Sequence, residues 1–143
     1  MDNSSCLAKQ DQLKKLFEGL PSQEERYQKI IAMGRAAKPL DACKRTEDRL
    51  VPGCQSLLYL DVSLIDGRLF LQAYSDALIS SGLAELLIQV YQGEPPQSVI
   101  HCPPLFLKEL GILSSLSPSR ANGLKSLYEK LQKESLKFIA SPL

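Results

Sequence analysis

The fold is decided by one stretch, LLYLDVSLI-DG-RLFLQAY, at residues 57–74. Apolar and polar side chains alternate on both sides of Asp66-Gly67, which is the period of a β-strand. An Asp-Gly pair between two alternating runs is a strong signal for a two-residue hairpin turn. The stretch therefore predicts antiparallel strands over 57–65 and 68–74, with a short third strand around Val51.

The six residues before the hairpin, VPGCQS at 51–56, place a cysteine at its entrance. Pro52-Gly53 predicts a sharp bend, because proline restricts φ and glycine tolerates positive φ. Cys54 follows this bend directly, and loops held by rigid elements often carry functional residues. The alternative is a cysteine that packs as a small hydrophobic side chain.

Helical periodicity predicts the elements on either side of the hairpin. Before it, we expect a flexible segment at 1–9, a helix at 11–18, and a second helix to about Ala37 that begins with the capping box of Ser22 and Glu25. After it, we expect a central helix at 77–92 capped by Ser75-Asp76, short helices at 96–101 and 105–110, and a last helix that begins near Ser117-Pro118-Ser119.

Gly82 interrupts the apolar stripe of the central helix, where glycine costs about 1 kcal/mol relative to alanine. We therefore expect close packing of Gly82 against the sheet or against the loop that carries Cys54. Together these elements predict a single α+β domain over 1–143, with a small antiparallel sheet of about three strands packed against several helices.

Composition excludes several classes of function. The chain has 143 residues, a net charge of +1 and no cluster of Lys and Arg, so nothing indicates nucleic-acid binding. Its apolar runs are too short to cross a bilayer, and its first residues lack the pattern of a signal peptide. We therefore expect no membrane association and a cytoplasmic location.

The four cysteines have wide, irregular spacings and form no CxxC pair. A disulfide framework is not expected in a cytosolic domain of this size. A metal site from Cys43, Cys54, His101 and Cys102 is arithmetically possible, but the usual zinc-ligand spacing is missing. His101 is the only histidine, and a lone histidine beside a chain break is more often structural or exposed than catalytic.

Three motifs occur in a fixed order: GCQS at 53–56, Ser75-Asp76 ahead of a Gly-Leu helix, and LSPSRANGL at 116–124. With these motifs the chain resembles the SufE family from about Leu16 to about Lys133. The family's members are sulfur acceptors that work with a pyridoxal-phosphate cysteine desulfurase in iron–sulfur cluster assembly. The resemblance implies a compact α+β fold related to that of cluster scaffolds of the IscU type.

The resemblance also implies a function. Cys54 would take sulfur from the persulfide of a SufS-type desulfurase, enhance the activity of that enzyme, and hand the sulfur to a SufBCD-type scaffold. Pyridoxal phosphate would reside on the desulfurase, so this protein would act as a carrier without a cofactor or metal of its own, rather than as an enzyme. A homodimer is possible.

Five further residues are candidates for the site. Arg120 would supply a cation near Cys54, and Asp76 would cap the central helix, hydrogen-bond the backbone of the cysteine loop, or do both. Gly53, Gln55 and Ser56 would support a loop that can shelter the cysteine or swing it outward.

The chain departs from the family pattern at two places. Ser81 precedes Gly82 where family members often carry a basic residue, and Arg49-Leu50-Val51 stands where many carry an Asn. Both departures bear on which desulfurase is the partner.

Three other functions remain open from the residues alone. One is a cysteine hydrolase, for which His101 is the only histidine base. The second is a peroxidase with Cys43 as the resolving cysteine. The third is a scaffold that binds a metal or cluster through Cys43, Cys54 and Cys102.

Overall fold

A computed structural model describes residues 2–140 and confirms the predicted α+β class. The hairpin consists of β1 (Leu58–Ile65) and β2 (Arg68–Ser75), and their register pairs the first residue of each strand with the last residue of the other. Asp66 and Gly67 have φ values of 53° and 78°. Positive φ at both central residues is what a tight type I′ hairpin turn requires.

The predicted third strand is wrong, because the sheet within residues 2–140 has two strands. The chain before β1 contributes only an isolated bridge between Leu50 and Tyr59, supported by the N–H of Val51, which donates to the carbonyl of Leu58 at 2.8 Å. Pro52 has no N–H to donate and Gly53 turns the chain away at φ 74°, so pairing stops at this point.

Seven α-helices lie within residues 2–140. They are α1 (Ser4–Glu18), α2 (Gln23–Ala36), α3 (Leu78–Tyr91), α4 (Gln97–His101), α5 (Phe106–Glu109), α6 (Ile112–Ser115) and α7 (Pro118–Ala140). Two 3-10 turns, Ala42–Lys44 and Glu47–Arg49, lie between α2 and β1. No helix in this part of the chain is both long enough and apolar enough to cross a membrane.

The expectation of a flexible segment at 1–9 is wrong for the residues that the structure describes. Helix α1 begins at Ser4, and Cys6 is completely buried. The buried stripe of α1 continues through Gln10, Leu13 and Phe17, so a cysteine and a glutamine occupy core-facing positions. A prediction that counts only apolar side chains misses the first two turns of this helix, because Gln10 is polar and Cys6 stands alone.

Helix α3 runs through the centre of the core, and ten of its fourteen residues are buried. A Cβ atom added to Gly82 would lie 2.1 Å from the carbonyl oxygen of Ile30, and one added to Gly34 would lie 2.6 Å from the backbone nitrogen of Gly82. The expected close approach at Gly82 is therefore present, but the neighbour is α2 rather than the sheet or the Cys54 loop. This contact fixes α3 in place beneath the loop.

Candidate functional site

Cys54 lies on the loop between the Pro52-Gly53 bend and β1, with its half-buried side chain against helix α7. Its sulfur is 3.8 Å from the carbonyl oxygen of Gly123. A Cβ added to Gly123 would lie 3.5 Å from the same sulfur, at van der Waals contact. The cysteine therefore packs directly against the backbone of α7 at Gly123.

A small cavity surrounds the sulfur. Its apolar wall is formed by Leu58, Leu83, Leu124 and Leu127. The open space is about 10 Å³, roughly the room that one water molecule needs. Burial in this cavity raises the pKa of the Cys54 thiol above its ordinary value, and the positive charge of Arg120 acts in the opposite direction.

Arg120 projects from the first turn of α7 into the same cavity. Its Nη1 donates one hydrogen bond to Ser56 Oγ at 2.7 Å and another to Ser80 Oγ at 2.8 Å. The first turn itself is held by Ser117, whose hydroxyl accepts from the backbone N–H of Arg120 at 3.3 Å. The structure thus brings together two predicted site residues, Cys54 and Arg120, with Ser56 between them.

Asp76 does not occupy the position predicted for it. Its side chain is exposed, and no group within residues 2–140 donates a hydrogen bond to its carboxylate. Helix α3 begins at Leu78 and has no side-chain cap. Both predicted roles of the Asp76 side chain, the helix cap and the hydrogen bond to the cysteine loop, are therefore wrong.

The neighbouring Ser75 contacts the end of the cysteine loop and the residue that precedes α3. Its buried hydroxyl donates to the carbonyl of Leu57 at 2.6 Å and accepts from the N–H of Ala77 at 3.2 Å. Ser75 ends a strand with its side chain facing inward, so Asp76 must face outward. Only the backbone N–H of Asp76 contacts the end of the cysteine loop, at 3.4 Å from the same Leu57 carbonyl.

Two residues of the site were not among the predicted ones. Ser80 is 9% exposed, and its hydroxyl lies within the apolar stripe of α3. Gly123 lies in the quoted LSPSRANGL motif but had no assigned role. A serine among core-facing apolar residues was the available signal for Ser80, because a buried hydroxyl needs a hydrogen-bond partner.

Comparison with known proteins identifies the family. The sequence model of the SufE family, described as an Fe-S metabolism associated domain, matches residues 11–135. The chain belongs to the SufE family. Its members act in iron–sulfur metabolism, and that context is thereby shown for this protein, in agreement with the resemblance of the motifs.

Three similar proteins carry a SufE-like description as well. The chain is 31% identical over 122 residues to an uncharacterised SufE-like protein of Synechocystis, covering 85% of this chain and 77% of the relative. It is 32% identical to SufE-like protein 1, chloroplastic/mitochondrial, of Arabidopsis thaliana, which matches 90% of this chain; the match spans 35% of that longer protein. An uncharacterised SufE-like protein of Rhizobium etli is 30% identical, with 90% of each chain covered.

A solved structure has the same fold. The solution structure of a hypothetical protein from Thermus thermophilus superposes with a TM-score of 0.78 at 27% identity, covering 93% of this chain and 97% of the other. The α+β fold of this chain is therefore one that an experimentally solved protein also adopts.

The remaining cysteines of this SufE protein lie apart from the site. Cys6 and Cys102 are buried together against α1, where Gln10 Nε2 lies 3.8 Å and 3.4 Å from their sulfur atoms. Cys43 is exposed in a 3-10 turn, and His101 is exposed at the end of α4. Within residues 2–140, no three His, Cys, Asp or Glu side chains are grouped as metal ligands.

The two departures from the family pattern have local structural contacts. Arg49 Nε pairs with Asp61 Oδ1 at 2.7 Å, which ties a 3-10 turn to β1. Ser81 Oγ donates to the carbonyl of Ser75 at 3.3 Å, across the start of α3. Neither residue lines the Cys54 cavity.

Proposed function

We propose that Cys54 accepts sulfur from the persulfide of a SufS-type, pyridoxal-phosphate-dependent cysteine desulfurase and passes it to a SufBCD-type cluster-assembly scaffold. The observation that carries this proposal is the position of Cys54. Its thiol lies on a loop behind a glycine bend, half-buried in a cavity where Arg120 is the only charged lining residue of the described chain. Membership of the SufE family supports the same role.

The reaction is a thiol exchange. The Cys54 thiolate attacks the outer sulfur of the donor persulfide, the sulfur–sulfur bond of the donor breaks, and the donor cysteine leaves as a thiolate. One sulfur atom moves, and no net oxidation or reduction occurs. Transfer to the scaffold repeats the same exchange, with Cys54 as the leaving thiolate.

This exchange requires a thiolate but no histidine base. A nearby cation favours the ionised form of a thiol, and Arg120 supplies that charge. His101 does not line the cavity, so the hydrolase alternative has no base within reach of Cys54. Cys43 does not line it either, which leaves the peroxidase alternative without a resolving cysteine at the site.

The cavity is also suited to a persulfide that waits for its acceptor. Its open space is comparable to one small atom, which is the scale of the outer sulfur that Cys54 would gain. The leucine wall would keep reductants and water away from that sulfur while the loop is closed.

Release of the sulfur requires the loop to move. Gly53 provides the flexible end, and the hydrogen bond from Arg120 to Ser56 holds the other end. We expect iodoacetamide to modify Cys54 slowly in the isolated protein and faster in the presence of the desulfurase. Equal rates in the two conditions would contradict the sheltered loop.

The surface next to the loop is suited to a protein partner. Leu57 directly precedes β1 and is 50% exposed, and Leu78 at the start of α3 is 51% exposed. The backbone N–H of Asp76 reaches the carbonyl of Leu57 at 3.4 Å, which brings the segments that carry these two leucines together. Contiguous exposed apolar patches often mark protein contacts, whereas single exposed leucines do not. We propose this surface as the docking surface for the desulfurase. The carrier role without enzymatic activity of its own, the cytoplasmic location and a homodimer stay predictions.

Transfer of labelled sulfur tests the function. The desulfurase is incubated with cysteine that carries radiolabelled sulfur, and the label on this protein is measured after separation under non-reducing conditions. We expect label on the wild type and on Cys43→Ser, the control for an exposed cysteine, but not on Cys54→Ser. Equal labelling of Cys54→Ser and wild type would refute the proposed function.

A further inference from the structure

Ser80 makes an unusual contact for a residue of the core helix. It lies between buried apolar residues of α3, yet its hydroxyl accepts a hydrogen bond from Arg120 Nη1 at 2.8 Å, across 40 residues of sequence. The same nitrogen donates to Ser56 Oγ at 2.7 Å. One amino group of the guanidinium has two hydrogens, so the two serines together satisfy it.

The two serines differ in how firmly they are held. Ser56 belongs to the loop that carries Cys54, with the exposed Gln55 and Leu57 on either side. Ser80 belongs to α3, and two residues later Gly82 is in backbone contact with α2. Arg120 is therefore bound on one side to the loop that the proposed function requires to move, and on the other side to a helix packed into the core.

We propose that Ser80 is a positioning residue: it anchors the Arg120 guanidinium to the core helix, so that the cation remains beside Cys54 when the loop and Ser56 move. The consequence for sulfur acceptance rests on the proposed function of Cys54. Without Ser80, the side chain of Arg120 would have Ser56 as its only hydrogen-bonding partner within residues 2–140, and it would follow the loop or turn toward solvent.

The anchored charge acts on Cys54 without competition from other charges. The cavity is lined by residues of the cysteine loop, β1, α3 and α7, and among these lining residues Arg120 alone carries a charge. Its field favours the thiolate and opposes the effect of burial on the pKa of Cys54. Displacement of the guanidinium should therefore make the thiol harder to ionise.

The test is the pH profile of Cys54 alkylation. The rate of iodoacetamide modification is followed by mass spectrometry of the peptide that contains Cys54, from about pH 7 to about pH 11, because burial moves the ionisation of this thiol above the ordinary range of a cysteine. The midpoint of the profile reports ionisation, and the plateau at high pH reports access to the sulfur. Cys43, which is exposed and does not line the Cys54 cavity, serves as an internal control in every sample.

We expect Ser80→Ala to move the midpoint upward and to slow alkylation near neutral pH by roughly two- to fivefold, because the thiolate fraction falls. Ser81→Ala, one position along the same helix, should leave the profile unchanged. Ser56→Ala should instead raise the plateau, because it frees the loop while Ser80 still holds Arg120.

An unchanged midpoint in folded Ser80→Ala would overturn the proposal. Ser80→Thr and Ser80→Val provide a second comparison if alanine disturbs folding, since they have the same shape and differ in the hydroxyl. Threonine should keep the wild-type midpoint and valine should shift it; equal midpoints would overturn the proposal. This assay needs no desulfurase, so a failure of labelled-sulfur transfer would refute the proposed function of Cys54 separately from the role of Ser80.

Discussion

Replacement of Gly82 by alanine should destabilise the fold, although alanine is the better helix former. The added Cβ would lie 2.1 Å from the carbonyl oxygen of Ile30 and 2.6 Å from its carbonyl carbon. Ordinary van der Waals contact begins at 3.4 Å, so both distances are too short, and the obstacle is backbone that cannot rotate away. Helices α2 and α3 would have to separate around the centre of the core.

The magnitude follows from two opposing effects. Overpacking of a tight core costs typically about 1–3 kcal/mol, and occasionally more. Alanine in place of glycine stabilises the helical conformation by about 1 kcal/mol. Because the clash involves rigid backbone on both sides, we expect the packing cost at or above the upper end of its range, and a net loss of roughly 2 kcal/mol in the free energy of unfolding.

Urea unfolding followed by far-ultraviolet circular dichroism measures this loss as a lower midpoint at an unchanged slope. Gly123→Ala is the matched control, because Gly123 lies inside helix α7 and its added Cβ would be at ordinary contact distance, 3.5 Å from the Cys54 sulfur. We expect this variant to be as stable as the wild type or more stable. Equal midpoints for Gly82→Ala and Gly123→Ala would refute the packing argument.

Three further predictions concern α1, the buried thiol and the histidine. Lys9→Ala should lower the free energy of unfolding by roughly 2 kcal/mol, because it removes the cation 2.6 Å from the buried carboxylate of Glu94; in urea unfolding, a loss no larger than that of Lys14→Ala, which breaks a more exposed pair, would contradict it. Burial, together with the neighbouring Cys102, raises the pKa of Cys6 from 9.0 to about 12. Above pH 9 the unfolded chain therefore loses a proton that the folded chain keeps, and stability should fall by up to about 1.4 kcal/mol per pH unit. Cys6→Ala should show a flatter decline between about pH 9 and pH 11 in urea unfolding, and parallel declines would count against a buried thiol. His101→Ala should accept labelled sulfur at the wild-type rate, whereas loss of acceptance would implicate the histidine in the chemistry.

Local patterns predicted the hairpin and most of the helices. Strand alternation and the Asp66-Gly67 turn depend on neighbouring residues only, so they are visible in the sequence. The capping box is equally local, with Ser22 Oγ accepting the N–H of Glu25 at 3.1 Å as predicted.

The predictions were wrong where contacts between distant parts of the chain determine the local structure. Pro52 ends strand pairing after one bridge, and α1 continues to Ser4 because Cys6 and Gln10 face the core. Ser75 and Asp76 are both suited to cap a helix, but Ser75 faces inward at the end of β2 and bonds to the N–H of Ala77, and neither side chain caps α3. Such choices depend on which side chain faces inward, and the composition of a segment does not specify this.

The site was predictable in part for the same reason. Motifs singled out Cys54 and Arg120, which the structure places in one cavity. The sequence did not predict Ser80 as a site residue, because its hydrogen bond to Arg120 spans 40 residues and belongs to no local pattern. Only the packing of α7 against α3 brings the two side chains together.

The most direct test of the central claim is the mass of the peptide that contains Cys54 after incubation with a cysteine desulfurase and cysteine. Persulfide formation adds one sulfur atom, about 32 Da, and a reductant removes it. We predict this increment on the Cys54 peptide. No increment there, or an increment on the peptides of Cys43 or Cys102 instead, would contradict the assignment of Cys54 as the sulfur acceptor.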